Sequence, residues 1–145
     1  MENQMKRALI FAAVALTVIV LSAFMVLAVR GLVDPVASAA RFGLPVSDPA
    51  GILYFRVYLS RNLVIAMTAS AFLLFRWWKP LAMLITLATA LPAFDATVLA
   101  LQLQERAPLA VHIATFIALA VTAAALWLCA WSASPARMSI ATSRS

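Results

Sequence analysis

With three glycines, one histidine and one cysteine in 145 residues, the chain has few of the groups that build catalytic or metal sites. A single cysteine, Cys129, excludes an internal disulfide and any multi-cysteine metal site. Three glycines cannot build a phosphate-cradling loop. His112, the one histidine, has no second imidazole to share an ion with, so no metal is expected, and no residue pattern asks for another cofactor. Charge is scarce as well. Charged residues make up 11% of the chain, whereas a soluble domain carries about a quarter. Acids are rarest, five against eleven lysines and arginines. A water-soluble chain could not clothe itself with this inventory.

Hydrocarbon is what the chain does have. Hydrophobic residues account for 66% of it, and they fall in runs of the length that crosses a bilayer, about 20 residues. There is room for four crossings and little else. Residues 1–145 are therefore read as one membrane domain, and the fold class as all-α, an integral membrane four-helix bundle. The net charge of +6 does not imply nucleic acid as a partner, because the basic residues bracket apolar runs and form no patch. It implies attraction to anionic lipid and control of topology.

Lys6 and Arg7 precede an apolar run from Ala8 to Val29, closed by Arg30. That run exceeds the 7–15 or so residues of a signal-peptide core, and it is read as an uncleaved first span, about 8–29. In the first loop, Asp34-Pro35 reads as an N-cap with proline at the first helical position, and Gly43 with Pro45 reads as a stop. A short interfacial helix over about 35–42 follows. Asp48-Pro49 repeats the start signal for a second span, about 49–76. Trp77-Trp78-Lys79 turns into a third, about 80–103, where Pro92 frees the carbonyl of Ala88 and predicts a kink. Gln104–Pro108 is a polar turn, a fourth span covers about 109–131, and a disordered tail is expected over 132–145.

Basic residues set the orientation. Lys6, Arg7, Arg76, Lys79, Arg137 and Arg144 share one side, whereas Arg30, Arg41 and Arg106 on the other are diluted by Asp34, Asp48 and Glu105. The positive-inside rule puts both termini in the cytoplasm, in a multi-pass protein of the inner (cytoplasmic) membrane. Trp77, Trp78, Trp127 and Trp131 then form an inner aromatic belt, and Phe42, Tyr54 and Tyr58 an outer one.

Within the spans, ionisable groups are few: Arg56 and Arg61 in the second, Asp95 in the third and His112 opening the fourth. Such groups are expensive in lipid and seldom lack a partner or a purpose. Counted from the outer ends of their helices, Arg61 and Asp95 lie level, with Arg56 and His112 above them nearer the headgroups. Tyr54, Tyr58, Arg61 and Ile65 share one helix side. The expectation is an outward-facing polar pocket floored by an Arg61–Asp95 pair and rimmed by His112 and Tyr58. Two readings stay open. The pocket binds a small amphipathic molecule, a quinone or lipid, or the Arg–Asp pair only holds the bundle together in a structural or accessory subunit. On the fourth span, Ala110, Ala114, Ala118 and Thr122 make a small-residue packing ridge, with His112 on roughly the opposite side. No serine or cysteine nucleophile is placed beside Asp95 and His112, so no catalytic residue is assigned.

The sequence of parts over about residues 8–130 resembles a family of small four-span membrane proteins known as domain of unknown function 4267. These parts are a long apolar helix, Arg41-Phe42-Gly43-Leu44-Pro45, a helix opening with Arg56 through Arg61-Asn62, a late aspartate and a histidine opening the last helix. The layout is also similar to the broader DoxX-like group, which implies a third reading, a membrane oxidoreductase component. The resemblance marks Gly43, Pro45, Arg56, Arg61, Asp95 and His112 as signature residues. It also implies an acidic residue after the second arginine, where this chain has Asn62.

Overall fold

The computed structural model describes residues 2–103 and 109–132, all arranged as helices and their connections. The expected polar turn at 104–108 lies outside the described residues, as does the expected disordered tail over 132–145 apart from Ser132, which ends the last helix. Among the described residues there are six helices: α1 (Glu2–Val33), α2 (Pro35–Phe42), α3 (Pro49–Leu74), α4 (Trp78–Ala88), α5 (Ala90–Leu103) and α6 (Leu109–Ser132). Among the described residues, four stretches are long and apolar enough to cross a membrane: Gln4–Val33, Pro49–Leu74, Trp78–Gln102, which joins α4 to α5, and Leu109–Ser132. This is a multi-pass membrane protein.

The starts and stops of these helices follow local chemistry. Pro35 forces Asp34 out of the helical region, to φ −124° and ψ 81°, and so ends α1. The freed Asp34 carboxylate then accepts from the Ala37 N–H at 3.1 Å, capping α2. Asp48 caps α3 in the same way, accepting from the Gly51 N–H at 2.8 Å. Gly43 closes α2 at φ 104°, a left-handed conformation that glycine adopts freely. There the Leu44 N–H donates to Ala39 O at 3.0 Å and the Gly43 N–H to Ala40 O at 3.2 Å, the paired bonds of a Schellman turn. The same turn closes α3 around Arg76 at φ 57°, with the Trp77 N–H donating to Phe72 O at 2.8 Å.

The third span breaks at Thr89, one residue after the carbonyl that Pro92 cannot serve. Thr89 tightens the break: its Oγ1 donates to Thr86 O at 2.6 Å, and its N–H is shared between Ile85 O and Thr86 O. The two halves pack differently. α4 lies against both α6 and α3, whereas α5 lies against α6 and does not pack along α3. α1 packs against α3, α6 and α2.

Two separate cores result. The larger joins Val20 and Leu21 of α1, Ala69 of α3, Leu81, Ala82 and Ile85 of α4, and Leu119, Ala123 and Leu126 of α6. The smaller joins Ala39 of α2 to Phe55 and Leu59 of α3, with Leu32, Phe42, Val46 and Tyr58 packed around it. Small residues bring α1 close: a Cβ on Gly31 would run into Leu59 Cδ1. Buried Thr17 and Thr122 stay satisfied inside by donating to the carbonyls of Ala13 and Ala118.

The small-residue ridge of the fourth span does not behave as expected. The buried stripe of α6 is His112, Leu119, Thr122, Ala123, Leu126, Cys129 and Ala130, while Ala110 and Ala114 are exposed. His112 falls on the packing face because it shares a helical side with Leu119, Ala123 and Leu126.

Candidate functional site

α2 ends with carbonyls that no helical N–H can reach. The Schellman turn takes those of Ala39 and Ala40, which leaves those of Arg41 and Phe42. The Phe42 oxygen lies 3.1 Å from Nε2 of His112, seventy residues later in the chain. A carbonyl only accepts, so Nε2 carries the hydrogen and donates it. The rings of Phe42 and His112 also meet edge to face, with centroids 4.8 Å apart. Phe42 packs likewise on Tyr58 at 5.6 Å and Phe55 at 6.2 Å, and those two stack on each other at 5.9 Å. Phe42 is therefore a central member of this cluster, not the member of an outer belt that its sequence position suggested.

The second nitrogen of His112, Nδ1, faces Asp95 Oδ2 at 3.9 Å. At that separation the two groups face each other without a direct hydrogen bond.

Burial differs sharply along this chain of groups. The side chain of His112 is 5% exposed and that of Asp95 21%. Tyr58 and Asn62 are half-buried. His112 thus stands behind Asp95, on the buried side of the cluster.

Three of the five expected site residues are brought together: Tyr58, Asp95 and His112. The other two are not. Arg61 and Arg56 are both exposed. The expected Arg61–Asp95 pair gives way to Asp95–His112, since α5 lays its inner side on α6 and not on α3. His112 is not a solvated rim residue but is buried, 4% exposed, at the level of Asp95. Phe42 and Phe55 went unread as site residues, although Gly43 carried a signal for the first: a helix stopped there needs a donor for the carbonyl before it.

The family model for "Domain of unknown function (DUF4267)" matches residues 21–127, nearly three-quarters of the chain. The chain belongs to the DUF4267 family. No curated protein and no solved structure matches it. The DUF4267 match spans every residue of the cluster, from Phe42 to His112. In this DUF4267 protein the opposite end of the bundle holds the tryptophans. Trp127 donates from Nε1 to Thr86 Oγ1 at 3.0 Å and stacks loosely on Trp131 at 6.0 Å. Buried Cys129 is there too, with its thiol 3.9 Å from Leu9 O.

Proposed function

We propose that this DUF4267 protein lies in the inner (cytoplasmic) membrane with both termini cytoplasmic. There it holds a small amphipathic molecule, a quinone or lipid, in an outward-facing cleft between α3 and α5. The orientation rests on the excess of lysine and arginine flanking the α3–α4 turn and the amino terminus. One observation carries the binding reading. The Asp95 carboxyl is backed by a buried histidine and left one-fifth exposed where two helices part. A polar group placed in this way offers hydrogen bonds to a headgroup or a ring carbonyl, and lipid supplies the apolar remainder. Thiol chemistry is out of reach of the cleft, because Cys129 is buried at the far end.

A photoreactive ubiquinone analogue and a photoreactive fatty acid, each incorporated into proteoliposomes, test this reading. Crosslinked peptides should concentrate in 54–62 and 91–99. Labelling spread evenly around the lipid-facing surface contradicts it.

The structural reading has its own support. Among the described residues no fully buried side-chain polar atom lacks a partner, so the buried part of the cluster asks for no ligand. On that reading His112 and Asp95 serve only to tie α2 and α5 to α6, and photolabelling would show no preferred segment.

A further inference from the structure

Arg61 stands near the midpoint of α3, which runs Pro49–Leu74, and it is exposed. An arginine without a counter-charge there is among the costliest residues a span can carry. Among the described residues Asp95 is the one acidic residue inside the spans, and it faces His112. A second copy of the chain would offer the same Asp95 at that depth and nothing else. The remaining source of negative charge is an amphiphile of the membrane.

Its direction on the helix favours the cleft. With about 100° per residue, Tyr58 lies about 100° round from Leu59, the residue that faces α1, and Arg61 about 160° round the same way. Arg61 therefore sits just beyond Tyr58 on the same side of α3. Arg56 lies about 140° from Arg61 and faces elsewhere. A guanidinium offers a planar fork that grips a carboxylate or phosphate with two hydrogen bonds.

We infer that the amphiphile of the cleft carries one anionic headgroup, a carboxylate or a phosphate, gripped by Arg61, with its hydrocarbon chain between α3 and α5. This rests on the cleft reading above.

The full-length protein in phosphatidylcholine nanodiscs, titrated separately with oleate, phosphatidylglycerol and neutral methyl oleate, tests it by native mass spectrometry. One oleate or one phosphatidylglycerol should bind per chain, and methyl oleate should not. Whichever anion binds more tightly identifies the source as a fatty acid or a phospholipid. Arg61→Gln should weaken that binding about tenfold or more, in line with loss of a charge-assisted hydrogen bond. Arg56→Gln should leave it unchanged. Methyl oleate binding as tightly as oleate overturns the anion while leaving the cleft intact. Equal losses in the two arginine variants overturn the site in favour of diffuse attraction. If neither the anions nor methyl oleate binds, both the anion and the cleft fall.

Discussion

His112 on α6 caps a helix seventy residues away, its Nε2 lying 3.1 Å from the carbonyl oxygen that Gly43 leaves exposed on Phe42. This bond, with the edge-to-face contact of the two rings, joins α6 to α2. Removing it should free α2. In His112→Ala the Phe42 carbonyl loses its donor and Asp95 its partner, at a cost of about 1–3 kcal/mol for a buried polar group left unsatisfied. Hydrogen exchange read by mass spectrometry should show faster exchange over 35–46 with the spans unchanged. Unaltered protection there means that α2 is held by its apolar face alone.

Double-mutant cycles separate the observed pair from the expected one. Asp95→Asn and His112→Gln should couple by about 1 kcal/mol or more, as contacting residues do. Asp95→Asn and Arg61→Gln should add to within about 0.5 kcal/mol, because Arg61 is exposed and Asp95 pairs elsewhere. Unfolding titrations in mixed detergent and SDS micelles give these numbers. Strong Arg61–Asp95 coupling would restore the pairing that residue depth alone suggested.

Two helix ends of the same design carry opposite residues, Gly43 at φ 104° and Arg76 at φ 57°. A side chain in left-handed backbone costs roughly 1–2 kcal/mol. Gly43→Ala should therefore destabilise by about that amount and Arg76→Gly should stabilise by up to about 1 kcal/mol. Thermal unfolding in detergent measures both. Equal effects of like sign would show that the two turns are not held as described.

Pro92→Ala returns an N–H to the Ala88 carbonyl. The break at Thr89 should then heal into one continuous helix, with slower amide exchange over 88–93 and loss of the Asp95–His112 approach as α5 swings. Exchange that stays fast would place the cause of the break in Thr89 itself.

Much of the frame was legible in the sequence because local rules set it. Asp34-Pro35, Asp48-Pro49, Gly43 and Pro92 fix helix ends through their own backbone chemistry, with no need of a neighbour. The cluster was less legible. Depth along a span follows from residue number, but which way a helix turns depends on its packing. Counting residues placed Arg61 level with Asp95 but could not show that α5 lies on α6. Closeness to a helix start suggests a solvated His112, and its shared side with Leu119 and Leu126 outweighs that.

The single histidine makes the central relationship directly observable. In protein labelled with ¹⁵N-histidine, every imidazole signal comes from residue 112. Nε2 should be protonated and hydrogen-bonded whenever the ring is neutral, and replacing Asp95 with Asn should change the Nδ1 signal while leaving Nε2 protonated. A neutral ring with its hydrogen on Nδ1 and a bare Nε2 would contradict the account, since such a ring cannot donate to Phe42.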